Sequence, residues 1–212
     1  MRTSDRDKRR PAFAALCAAL VILLALVPPV GAFSAEYSVF PNGTAYRATI
    51  GINDTERYTF ADMGFMGEDV PLNVGEVTLF HAGDPVPFNW SKPWGAPASI
   101  SFAKGNYTIS FIAPLRDNNL NGVFLQPYNV SVALPQEFDV RNPLLAGLSN
   151  GANVTRLADN TTTVSWTKAF TFDLRFYSKA QQDLLFFFLQ FMGILIAVLV
   201  VIPYLLSMKK GE

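Results

Sequence analysis

The sequence predicts an all-β ectodomain, an immunoglobulin-like antiparallel β-sandwich, followed by a C-terminal transmembrane helix. Three observations predict it. From Leu184 to Leu206, twenty-three residues, Gln190 is the only strongly polar side chain. At about 1.5 Å of rise per residue such a run crosses a hydrocarbon core of about 30 Å. Lys209 and Lys210 follow at once, and basic residues just past a span are held on the cytoplasmic side. That places Phe33 to Ala180 outside. Within those limits the chain breaks into short segments of β composition separated by Pro, Gly and Asn, the spacing of a sandwich rather than of βαβ units.

Met1 to Arg10 is a leader with five bases, and Pro11 to Gly31 is an apolar run. Small residues at Gly31, Ala32 and Ser34, just past the helix-breaking Pro28-Pro29, complete a secretory signal peptide. An uncleaved signal anchor is the alternative, since about twenty apolar residues also span. Two helices would then approach through Ala15, Ala19, Gly193 and Ala197. The chain so divides into a signal peptide or anchor (1–34, apolar run 11–31), an extracytoplasmic β-sandwich (35–179), a transmembrane helix (184–206) and a short cytoplasmic tail (207–212).

Nine segments carry strand composition: 46–52, 57–60, 76–81, 99–103, 107–113, 123–126, 129–134, 161–166 and 169–177. The last is the most regular. Phe170, Phe172, Leu174 and Phe176 alternate with Thr171, Asp173, Arg175 and Tyr177, the period of a half-buried strand. Only a few residues separate it from the span, so the domain sits close to the bilayer. Phe186, Phe187 and Phe188 fall at the outer interface, Pro203 can kink the helix, and Tyr204 suits the inner interface.

The formal net charge is zero, and Glu36 to Lys179 holds thirteen acids against ten bases. Nothing there suggests nucleic-acid binding. Cys17, the only cysteine, lies in the first apolar run, so the ectodomain has no internal disulfide and stands on its core. Seven N-x-Ser/Thr sequons begin at Asn42, Asn53, Asn89, Asn106, Asn129, Asn153 and Asn160. All lie on the predicted outer side, where glycans would occupy exposed turns.

Asp117, Asn119 and Asn121, with Gly122 after them, match the first half of a calcium loop, in which oxygens at alternate positions converge. Position twelve, a bidentate Glu in such loops, is Tyr128 here. A hairpin turn explains the same residues, since Asn-Gly accepts positive φ. Calcium is the only cofactor the sequence raises. His81 is the sole histidine, and nothing near it completes a nucleophile, base and acid; one His without Cys is also too few for zinc. Glu68-Asp69 and Glu137/Asp139 read as solvated surface acids, and no phosphate-binding glycine loop is present. The best binding candidates are Phe88, Trp90 and Trp94 in the proline-stiffened segment Pro85 to Pro97, which either offers a rigid aromatic platform or covers one end of the core.

Pro127 to Pro135, Val140 to Leu145 and the strand that runs into the terminal helix resemble a family of uncharacterised archaeal membrane-anchored surface proteins. The resemblance implies an archaeal cell surface and brings no activity or functional residues with it. The expectation is a non-enzymatic surface glycoprotein in the cell membrane, its ectodomain extracellular and its C-terminus cytoplasmic. It would act on another membrane or envelope protein or a surface glycan, as an accessory subunit or an adhesion protein. A surface-anchored hydrolase or a glycan-binding module is the alternative, and oligomeric state is left open.

Overall fold

The computed structural model describes residues 33–64 and 67–208. Residues 1–32 of the predicted signal or anchor (1–34) and the end of the predicted cytoplasmic tail (209–212) lie outside them, while Phe33 and Ser34 begin β1. The described chain is mostly β-sheet with one C-terminal helix. Its strands are β1 (Phe33–Val39), β2 (Ala45–Met63), β3 (Asp69–Pro71), β4 (Gly75–His81), β5 (Asp84–Val86), β6 (Asn89–Ser91), β7 (Ala98–Pro114) and β8 (Asn119–Leu134). Then come β9 (Phe138–Asp139), β10 (Gly147–Leu148), β11 (Asn153–Arg156), β12 (Thr162–Arg175) and β13 (Tyr177–Ser178), and the helix α1 (Lys179–Met208).

Four pairs of segments that look separate in the sequence are single long strands. Segments 46–52 and 57–60 are both β2, 99–103 and 107–113 both β7, 123–126 and 129–134 both β8, and 161–166 and 169–177 mostly β12. What reads as turn chemistry between them is bulge chemistry. The β2–β7 register shifts between Ile52 and Arg57, with Asp54 at φ 51°, and the β8–β12 register shifts between Trp166 and Thr171, with Lys168 at φ 53°. An extra residue at such a point bends the strand and sharpens its twist.

The bends fold both hairpins over. Ala48, which pairs with Phe111, and Tyr58 are ten residues apart on β2, about 33 Å in a straight strand, yet the rings of Tyr58 and Phe111 have centroids 6.5 Å apart. On β8 the partners of Tyr37 and Phe172, Val132 and Gly122, are also ten residues apart, and those two rings lie 5.1 Å apart. Each hairpin therefore doubles back across its own buried face. The lower layer is β12–β8–β1–β2–β7–β4, and the folded-over ends of β2–β7 and β8–β12 lie above it.

Eleven strands form one continuous sheet, in the order β10-β12-β8-β1-β2-β7-β4-β5 with β11, β3 and β6 attached to β12, β2 and β7, and β9 and β13 form a separate two-stranded sheet. The sheet is not wholly antiparallel as predicted: β1 runs parallel to β8, from Phe33 beside Tyr128 to Ser38 beside Ala133. A first strand slotted between β2 and a strand ninety residues later has no short hairpin to force it antiparallel.

Alternation fills the space between the layers. Ala35, Tyr37 and Val39 of β1 and Tyr46, Ala48, Ile50 and Ile52 of β2 are buried, joined by Phe60, Ile109, Phe111, Val130, Val132, Trp166, Phe172 and Leu174. Phe172 needs the glycine opposite it, because a Cβ on Gly122 would lie 2.4 Å from its Cε1. Phe172, Leu174 and Phe176 point inward as predicted, but Phe170 is exposed, since the bulge before Thr171 breaks the alternation.

The two ends of the domain differ. At the helix end, Ser178 pairs with Phe138 and an added Cβ on Gly43 would meet the Phe138 ring at 2.6 Å. At the other end lie the bends and the start of β1, where Phe33 pairs with Tyr128.

Candidate functional site

Two features stand out at the helix end, a rigid junction and a cleft beside it. α1 begins at Lys179, five residues before the predicted span, and β13 runs into it with no linker. Ser178-Lys179-Ala180-Gln181 forms a reciprocal capping box. The Gln181 N–H donates to Ser178 Oγ at 3.4 Å, and the Ser178 N–H donates to Gln181 Oε1 at 2.8 Å. Asn118 Nδ2 donates to the same Oε1 at 3.2 Å, and the Phe176 N–H donates to the Asn118 carbonyl at 3.1 Å. The β7–β8 turn thus grips the first turn of the helix.

That turn is the segment read as half a calcium loop. Asp117 and Asn118 have φ of 54° and 52°, and the Asn119 N–H donates to the Arg116 carbonyl at 2.9 Å. Positive φ at both central positions makes a tight two-residue hairpin turn. The hairpin lies at Asp117-Asn118, not at Asn121-Gly122, and Asn119 and Asn121 already belong to β8.

Nearby, Asp139 accepts from the Arg141 guanidinium and from the N–H groups of Val140 and Arg141. The Arg141 hydrogen bonds, foremost, hold its carboxyl below the usual range. The following turn leaves Leu144 exposed, and Leu145 borders a hollow with Leu184, Leu185 and Phe188 of α1.

The cleft lies along the seam where the two folded-over ends meet. Two connected hollows of about 220 and 260 Å³ share Tyr46, Asp62, Leu72 and Asn121. The smaller is lined also by Arg116, Asp117 and Asn119; the larger also by Tyr37 and Tyr58. Tyr37 and Tyr46 are each 6% exposed. No described residue hydrogen-bonds the phenol oxygens of Tyr37, Tyr46 and Tyr58. Among the described residues Trp166 Nε1 is the only fully buried side-chain polar atom without a partner, so those oxygens keep their open surface in the cleft. Burial, foremost, pushes all three phenols up and keeps them protonated. The Asp62 carboxyl is raised by burial and pulled back in part by Arg116.

The chain belongs to DUF5803, a family of unknown function. The family profile matches residues 34–210, from the start of β1 through α1, so junction and cleft both lie inside the DUF5803 region. No curated protein matches the chain.

The aromatic loop divides. Phe88 packs against the core, Trp90 is 44% exposed with its ring 5.6 Å from that of Phe60, and Trp94 is 102% exposed. Trp94 therefore covers nothing. His81 is exposed at the β4–β5 turn, its Nδ1 3.0 Å from the Asn106 carbonyl and its ring beside Tyr107. All seven sequon asparagines are exposed. Asn42, Asn106 and Asn129 each accept a backbone N–H through Oδ1, which leaves the amide nitrogen pointing away.

Sequence reasoning missed Tyr37, Tyr46, Tyr58 and Asp62. Each reads as one inward or neutral position of an amphipathic strand, and only the folding-over of two hairpins brings them together. The available signal was three tyrosines at inward positions, because a buried phenol still needs a partner or an outlet.

Proposed function

We propose that the chain is a membrane-anchored, N-glycosylated surface protein of an archaeal envelope that acts by contact, with no chemistry of its own. One observation carries this reading: the sheet runs into a helix long and apolar enough to cross a membrane, and the capping box and Asn118 fix the helix to the domain. A hinge-free junction suits a protein whose task is to hold a surface at a set height and angle. The ectodomain would be an immunoglobulin-like sandwich in the broad sense of two layers from one bent sheet, on the extracellular side, with the residues after α1 cytoplasmic. Leu144 and Leu145 beside the first turns of α1 suit the bilayer interface, which keeps the base of the domain on the membrane. The partner would be another membrane or envelope protein or a surface glycan.

Extraction of native membranes in gentle detergent, with pull-down of the full-length chain, tests this. A stoichiometric co-purifying protein or glycan supports it. Release of the chain by carbonate wash without detergent sinks the anchor, and protection of the β-domain from protease on intact cells sinks the sidedness. The rival surface hydrolase would rest on His81, Asp84 and Asp117. It is refuted if His81→Ala, Asp84→Asn and Asp117→Asn each leave every measured turnover unchanged.

A further inference from the structure

We infer that the seam cleft binds a hydroxyl-rich sugar residue. The Tyr46 phenol, the Asp62 carboxyl and the Asn121 amide line both hollows, with the Arg116 guanidinium at one and the Tyr37 and Tyr58 phenols at the other, so each hollow mixes donors and acceptors, and a phenol can serve as either. A sugar needs that mixture, because each of its hydroxyls both gives and takes. Leu72, which lines both hollows, offers an apolar surface for the C–H groups of the ring. Each hollow is smaller than the roughly 300 Å³ at which drug-sized pockets begin, the scale of one ring rather than an extended chain.

Two other ligand classes fit less well. An aromatic cage for a quaternary ammonium needs open ring faces, but here the rings are stacked into the core. The Tyr37 ring lies 5.1 Å from that of Phe172 and 5.9 Å from that of Tyr46, and the Tyr58 ring lies 5.2 Å from that of Phe60. A metal ion would want several carboxylates or imidazoles together, and among the described residues no three His, Cys, Asp or Glu are grouped to hold one.

Position adds a second element. The smaller hollow is bordered by the Arg116–Asn119 turn, whose Asn118 donates to Gln181 in the first turn of α1. If the helix spans a bilayer, as the contact-acting reading has it, a sugar carried on a lipid headgroup stands beside the mouth. The same chemistry would take the end of a soluble glycan.

The test uses the full-length protein in phosphatidylcholine nanodiscs. Saturation-transfer NMR would be run with the methyl glycosides of galactose, glucose, mannose and N-acetylglucosamine, and with choline. A second arm compares melting temperature with and without monogalactosyl diacylglycerol in the disc. At least one glycoside should receive saturation, with affinity roughly five- to tenfold weaker in Tyr46→Phe and in Asp62→Asn, the loss expected for one hydrogen bond. Asn121→Ala, at an exposed position, should weaken it as well, and Trp94→Ala should not. Stabilisation by the galactolipid that Tyr46→Phe abolishes, without glycoside binding, assigns the sugar to a membrane lipid. Absence of both signals overturns the site, as does binding that survives Tyr46→Phe and Asp62→Asn unchanged, or saturation of choline alone. The soluble-glycoside arm does not depend on membrane anchoring, so its failure leaves the anchored reading standing, and a failed anchor leaves this arm intact.

Discussion

Gly122 and Phe172 sit opposite each other on the paired strands β8 and β12, and substituting the glycine measures how rigid the core is there. In Gly122→Ala the new Cβ would lie 2.4 Å from Phe172 Cε1 and 3.2 Å from both Cδ1 and Cζ. The ring has little freedom to retreat, with Tyr37 at 5.1 Å, Trp166 at 5.4 Å and Phe124 stacked at 6.1 Å. Overpacking of a filled core costs about 1–3 kcal/mol. Replacing a strand glycine returns roughly 0.5–1 kcal/mol through the unfolded chain. The net is a loss of about 1–2 kcal/mol. For a domain of this size that lowers the melting temperature by about 2–8 °C, read by near-ultraviolet circular dichroism of the full-length protein in detergent. Phe172→Leu loses packing by itself but makes room, so the double variant should melt well above the additive expectation. Gly122→Ala melting at or above the unsubstituted protein, or strict additivity with Phe172→Leu, would refute the argument.

Four further outcomes follow from the same geometry. Gln181→Ala removes the bonds from Ser178 and Asn118, so amide exchange at Ser178 to Asp183 should speed up by roughly five- to tenfold, in line with about 1 kcal/mol for a cap, while exchange in β8 stays slow. Asp62 has its pKa raised by burial, so its effect on stability is most favourable below the ordinary carboxylate range and is lost as pH rises through the raised value. Asp62→Asn should accordingly melt higher than the unsubstituted protein at neutral pH, with the difference vanishing in acid. Trp94→Ala should leave the melting temperature within about 1 °C, the effect of a surface change of under 0.5 kcal/mol, whereas Trp90→Ala should lower it through the lost contact with Phe60. N-terminal sequencing of the mature chain should start at Phe33. Under the proposed anchoring, the seven residues of β1 would set its start about 23 Å from the base of the domain, farther than the about 7 Å that two extended residues span. Recovery of the intact apolar run 11–31 would overturn that cleavage.

Strand identity was largely legible in the sequence, because period-two alternation in β2, β7, β8 and β12 comes directly from which face is buried, but β1 (Phe33–Val39) was not among the predicted segments. The terminal helix was legible for the same reason of bulk hydrophobicity. Strand length was not. Asn53-Asp54, Lys104-Gly105-Asn106 and Thr167-Lys168 have the residues that make turns, and the chain uses them to bend paired strands instead. The parallel β1–β8 contact was invisible too, since pairing between strands so far apart leaves no local trace. The candidate site shared this fate: Asp117, Asn119 and Asn121 could be named from spacing, but the tyrosines and Asp62 meet only after both hairpins double back. Phe170 shows the limit of alternation itself, which holds only until the next bulge.

The position of β1 also has a mechanical consequence. The strand enters at the tip of the domain and ends near its base, with β2 on one side and β8 on the other. A pull on the N-terminal end against α1 would load both ladders lengthwise, so that the rungs along Phe33 to Val39 must fail together rather than unzip in turn. Under the proposed anchoring, that arrangement would resist tension between the outer end of the domain and the bilayer.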